Sequence, residues 1–102
     1  MASSKEYLIF VTEKLSSIGV TYRPMMGEFV LYCEGKVVGG IYDDRLLLKP
    51  TKSALAILKE IGAEPQWETP YEGAKQMIAA DPEDDLTVRL IEAIAADLKG
   101  KR

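Results

Sequence analysis

The 102-residue chain contains no histidine and only one cysteine. Without an imidazole it has no base for a Ser-His-Asp or Cys-His nucleophile, so hydrolases of those types are excluded by composition. Zinc ligation of the usual His/Cys kind is excluded with them. The lone thiol, Cys33, forms no internal disulfide, which agrees with a reducing, cytoplasmic setting. Long apolar runs are also missing. Runs such as Tyr7 to Val11 and Leu46 to Leu48 fall far short of the roughly 20 residues that a membrane span needs. MASSKEYLIFVTEK lacks the basic start and small-residue cleavage site of a secretory signal. Nor are cations in excess: Lys and Arg number 13 against 16 Asp and Glu, a net charge of -3. Direct binding to a phosphate backbone is thereby disfavoured.

What is present is globular. Hydrophobic residues make up 47% and charged residues 28%, the balance of a soluble domain, and the length suits one domain over residues 1–102 with one core.

Ser3 and Glu6 have capping-box spacing, and Leu8, Val11, Leu15 and Ile18 recur on one helical stripe before Gly19, so a helix is expected over about residues 4–18. From Val20 the period falls to two. Strands are expected over about Thr21 to Met26, FVLYC, KVVGGIY and RLLLK, a meander of hairpins with turns at Gly27-Glu28, Glu34-Gly35 and Asp43-Asp44. Phe29, Leu31 and Cys33 should face one side, and Pro24 marks an edge or a bulge because it has no amide to donate. Thr51 can cap a second helix whose apolar face is Ala54, Ile57, Leu58 and Ile61. Residues 63–75, with two prolines and the only tryptophan, read as an irregular connection, and QMIA as a short strand. Asp81, Pro82 and the acids after them suit the positive end of a third helix over about residues 82–98. Leu86, Leu90, Ile94 and Leu98 form its stripe, with Lys99, Lys101 and Arg102 at its negative end. The expected architecture is α+β: an antiparallel sheet of four to five strands with three helices, in the order α-β-β-β-β-α-β-α.

Two pairs of residues invite a chemical reading. Gly39-Gly40 has no strand-to-helix context for cradling a phosphate, so a bulge or a close approach by another element explains it better. Asp43-Asp44 lies between strands, where aspartates favour turns, and it has no further ligands at metal-site spacing. Cys33, beside Phe29 and Leu31, reads as core filler. No catalytic residue, cofactor or metal is assigned. Alternation in RLLLK places Arg45, Leu47 and Lys49 on the face opposite Leu46 and Leu48; with Arg23 and Lys75 these cations are candidates for an anion site. Trp67 and Tyr71, in the irregular segment, are candidates for binding.

YRPMMGEFVLYCEGKVVGGIYDDRLLLKPT, then PYEGAKQMI and an acidic-started helix, resembles the N-terminal domain of the TfoX/Sxy competence regulators from about Tyr7 to Ala95. The elements that carry the likeness are the Met25-Met26-Gly27 turn, the Gly35-Lys36 hairpin, the strand from Asp44 to Lys49, and Tyr71 with Gly73-Ala74-Lys75. The resemblance implies an α+β domain in a bacterial family that helps switch on DNA-uptake genes together with other transcription regulators, and it brings no catalytic residues. Full-length regulators of this kind carry a second, helical C-terminal domain, whereas this chain stops at Arg102, so a stand-alone copy need not act in competence.

The leading expectation is therefore a non-enzymatic regulatory interaction module. Its working surface would be the exposed sheet face and the loop bearing Trp67 and Tyr71, and its partner a protein such as a transcription regulator. The alternative is a small-molecule or anion-binding domain, with weak enzymatic activity at most, using Arg23, Lys49 and Lys75 around the glycine strand. An exposed edge strand offers a pairing surface for a homodimer.

Overall fold

The computed structural model describes residues 3–99. In chain order its elements are α1 (Lys5–Lys14), β1 (Thr21–Met25), β2 (Glu28–Cys33), β3 (Lys36–Ile41), β4 (Leu46–Leu48), α2 (Lys52–Glu60), β5 (Trp67–Glu68), β6 (Met77–Ala80) and α3 (Asp85–Lys99). The strands form one antiparallel sheet in the order β1-β2-β3-β4-β6-β5. The α+β architecture is as expected, with one strand more. β5 had been hidden in the irregular segment because a two-residue strand leaves no period to detect.

The helices and one side of the sheet share a single core. Leu8, Val11 and Leu15 from α1 and its end meet Phe29, Leu31, Cys33, Ile41, Leu46 and Leu48 from the strands, together with Ala54, Leu58, Leu90, Ile91 and Ile94 from α2 and α3. β2 alternates as its sequence dictates, with Phe29, Leu31 and Cys33 buried on the helix side. The Cys33 thiol donates to the Ile18 carbonyl at 3.6 Å, and burial raises its pKa. It behaves as an apolar filler.

Several boundaries differ from the expectation. Ser4, not Ser3, caps α1, accepting from the Tyr7 amide at 3.1 Å. Ser3 is instead taken by tertiary contacts: its amide and hydroxyl both donate to Glu28 Oε1, and its hydroxyl accepts from the Asp44 amide at 2.9 Å. α1 ends at Lys14 and is prolonged by a 3-10 turn, Ser16–Ile18, to Gly19 in the left-handed region. α3 begins at Asp85, because Asp81 forms a separate turn, its carboxylate accepting from the Glu83 amide, and Asp84 takes the capping position, its carboxylate accepting from the Leu86 amide in the first turn of the helix. Its buried stripe is Thr87, Leu90, Ile91, Ile94 and Ala95, with Leu86 and Leu98 only partly covered. Ile61 is exposed, and Leu55 packs in its place. Lys101 and Arg102 lie outside the described residues.

Three two-residue turns close the meander, and both central residues of each have positive φ: Met26-Gly27, Glu34-Gly35 and Asp43-Asp44. Such turns match the twist of the flanking strands. The pair flanking a two-residue turn is hydrogen-bonded, so Met25↔Glu28 is bonded and the next pair, Pro24↔Phe29, is not. Pro24 nitrogen thus faces away from β2, at the outer edge of the sheet. Its missing amide costs the ladder nothing and blunts the edge.

Leu90 is 3% exposed and belongs to the common core. Leu90→Ala should lower stability by about 2 to 5 kcal/mol, measured by urea denaturation. A change near zero would show that α3 does not pack on the sheet as described.

Candidate functional site

The side of the sheet away from the helices carries an extended surface on which loop and strand residues converge. β3 sets its shape. The β2–β3 register slips between Leu31↔Gly39 and Tyr32↔Val37, which leaves Val38 as the extra residue of a bulge, and the Val38 carbonyl accepts from the Lys49 amide at 2.9 Å. A Cβ on Gly39 would lie 2.2 Å from the Leu47 carbonyl oxygen, and one on Gly40 would lie 2.6 Å from the Tyr42 ring and 2.8 Å from the Phe29 carbonyl oxygen. The glycines therefore admit the neighbouring strand and the Tyr42 ring, and Gly39 also lines the smaller of the two clefts on this face.

Tyr42 is almost wholly buried, and burial raises its phenol pKa. Tyr71, 61% exposed, leans on it with ring centroids 6.2 Å apart. The segment bearing Tyr71 is held from below by Arg45. This guanidinium donates to Glu68 Oε1 at 2.6 Å, to the Thr69 carbonyl at 3.3 Å and to the Pro70 carbonyl at 3.5 Å, while its Nε donates to the Tyr42 carbonyl at 3.1 Å. Leu47, on the same side of β4, is fully buried although it lies outside the helix-side core. The loop is thus a fixed cover over the middle of this face.

Tyr42, Pro70 and Tyr71 line two clefts in common; Tyr42 and Pro70 are buried, so Tyr71 alone makes the exposed ridge between them. One, of about 780 Å³, is lined further by Met25, Met26, Glu28, Asp43, Arg45 and Glu72. The other, of about 580 Å³, is lined further by Val37, Gly39, Lys49, Pro50, Thr51, Ala74, Lys75, Gln76, Met77 and, from α3, Leu98. Met26 stands 98% exposed at the tip of its turn. Asp43 and Asp44 have structural duties at the first cleft: the Asp43 amide donates to Glu28 Oε2, and Asp44 Oδ1 accepts from the Ser4 amide at 2.8 Å. Together with Ser3 they tie the start of α1 to two hairpin turns.

The candidate residues from the sequence are divided among different places. Lys49 and Lys75 share the second cleft, Tyr71 separates the two, and Arg45 is consumed in holding the loop. Arg23 lies on the edge strand with its guanidinium 5.6 Å from the Tyr32 ring, and it lines neither cleft. Trp67 pairs across strands with the core residue Ile78, which puts it on the helix side at the far edge, away from Tyr71. Sequence reasoning did not single out Tyr42 or Glu72, and it took Thr51 only as the cap of α2, a position Thr51 holds without a side-chain cap bond. The usable signal for Glu72 was its opposite charge to Lys75 across Gly73-Ala74; Tyr42 gave none, and Thr51 gave one for capping alone.

A sheet covered by helices on one side, with an ordered loop on the other, defines this chain as a two-layer α+β domain that presents one open face. The sequence profile of the TfoX N-terminal domain matches residues 13–87. A protein of Spirochaeta aurantia, described as an uncharacterized 12.7 kDa protein in the trpE 5' region, is 38% identical over 82 residues, covering 79% of this chain and 68% of that protein. The chain belongs to the TfoX N-terminal domain family.

If Arg45 anchors the loop, Arg45→Ala should lower stability by about 1 to 2 kcal/mol, a range discounted because the ion pair is partly solvated. Hydrogen exchange at residues 69–72 should accelerate at the same time. Lys75→Ala, which removes no side-chain hydrogen bond or ion pair among the described residues, should stay within about 0.5 kcal/mol of the parent. Equal effects of the two changes would contradict the assignment.

Proposed function

We propose that the domain is a non-enzymatic regulatory module that works by binding another protein through its open sheet face, as its family suggests for a competence-regulator-like domain. The observation that carries this reading is the exposure of Tyr71 and Met26 on a rigidly supported surface. Large apolar side chains held out by a fixed scaffold are better suited to a partner's surface than to the molecule's own packing. Among the candidate cations, Lys49 and Lys75 remain for recognition, and Arg45 does not. The test is capture of a protein partner from a native lysate, with Tyr71→Ala and Lys75→Ala beside Trp67→Ala. The first two should lose the partner and the third should keep it. A partner indifferent to Tyr71 and Lys75, or no partner at all, sinks the proposal.

A second reading has its own observation. The Thr51 hydroxyl oxygen is buried with no hydrogen-bond partner, and it shares a cleft with Lys49 and Lys75. An anion there would satisfy the hydroxyl and both ammonium groups. Thermal unfolding with inorganic phosphate and a panel of anionic metabolites tests this: a true ligand at 100 times its Kd adds about 2.7 kcal/mol. The gain should vanish in Lys49→Ala and Lys75→Ala, and no shift across the panel counts against an anion site.

A further inference from the structure

The open face carries both signs of charge, sorted to opposite ends. In the larger cleft Glu28, Asp43 and Glu72 gather beside Arg45, whose charge is already matched by Glu68 at 2.6 Å. In the smaller cleft Lys49 and Lys75 stand with no ion pair among the described residues. Tyr42, Pro70 and Tyr71 belong to both clefts, and Tyr71, the exposed one of the three, makes the apolar ridge between them. Glu72 and Lys75, both exposed, sit on either side of Gly73-Ala74 in the loop that carries Tyr71.

We propose that this face pairs with the same face of a second copy of the chain, about a twofold axis at the Tyr71 ridge, so that the acidic cleft of each copy meets the basic cleft of the other. A twofold interface must be complementary to itself, because residue i of one copy meets j of its mate and j meets i. A face of one sign repels its own copy. A face with an acidic end, an apolar ridge and a basic end becomes complementary to itself after half a turn. Glu72 then faces the partner subunit's Lys75, Lys75 faces the partner subunit's Glu72, and the two Tyr71 rings meet near the axis, where aromatic contact supplies the apolar centre. Single exposed ion pairs are weak and salt-screened, so the pairing depends on several acting together.

The β1 edge is the competing route, and it is poorly equipped. Of its outward-facing groups, the position at Pro24 has no amide to give, and β-pairing with a second copy would leave a gap in the ladder. The inference rests on the reading of the open face as an interaction surface and narrows the partner to this chain itself.

Sedimentation velocity over a concentration series, at low and high salt, decides the matter. The parent protein should pass from monomer to dimer as concentration rises, with a dissociation constant that increases with salt. Glu72→Lys and Lys75→Glu should each raise that constant at least about tenfold, since each puts like charges opposite one another. An equimolar mixture of the two variants should restore the dimer, because both contacts become attractive again in the mixed pair. Circular dichroism checks that the variants keep the fold. Monomer at every concentration overturns self-pairing, and the lysate experiment on Tyr71→Ala then judges the broader reading separately. A dimer that ignores both reversals, or reversals that the mixture does not rescue, also overturns it and points to the β1 edge or to another surface.

Discussion

The face depends on two missing side chains in β3. At Gly39 the Leu47 carbonyl occupies the place of a Cβ, and at Gly40 the Tyr42 ring and the Phe29 carbonyl do so. No other residue type lets β4 close on the bulge while an aromatic ring lies flat against the strand. From that follows the rest of the surface. The ring supports Tyr71, Arg45 beside it ties down the loop from Glu68 to Pro70, and the loop divides the face into two clefts. A strand built for packing thereby shapes the surface assigned here to recognition.

Much of this fold was legible in the sequence because local rules and tertiary demands agree. The alternation of FVLYC, the two-residue turns and the apolar stripes of the helices all bury what their period says they should. Legibility failed where a tertiary partner outbid a local one. Ser3 has the spacing of a capping residue, yet its hydroxyl is worth more to Glu28 and the Asp44 amide, and the cap passes to Ser4. Such competition is invisible without knowing which segments meet. The start of α3 shifted for a local reason: Asp81 had the look of a cap but closes a turn of its own on the Glu83 amide, and Asp84 caps the helix through the Leu86 amide.

The face itself was legible by residue type but not by grouping. Arg23, Arg45, Lys49 and Lys75 look alike in a sequence; the fold gives them unlike roles. Arg45 is held by a carboxylate and three carbonyls, Arg23 rests against an aromatic ring, and only Lys49 and Lys75 share a cleft. Charge therefore matters to recognition only after internal pairing has been subtracted. Once Glu68 has neutralised Arg45, the larger cleft is acidic, and the sorting of sign across the ridge emerges. Asp43 and Asp44 have structural duties of their own: Asp44 accepts from the Ser4 amide, and both residues sit in left-handed geometry to turn the chain.

A small antiparallel sheet has two ways to meet another molecule, along an edge or across a face, and here the balance of groups favours the face. β5 is two residues long, too short to template a strand, and β1 presents Pro24 nitrogen outward where a donor would be needed. Edges so blunted keep a domain from indiscriminate pairing. The open face has the opposite design. Its apolar ridge is small, its charges are sorted, and its loop is already ordered by Arg45, so little conformational freedom has to be given up on contact. Specificity then comes from the pattern of sign across the ridge, because a partner with the wrong pattern meets like charges at both ends while the right one meets none.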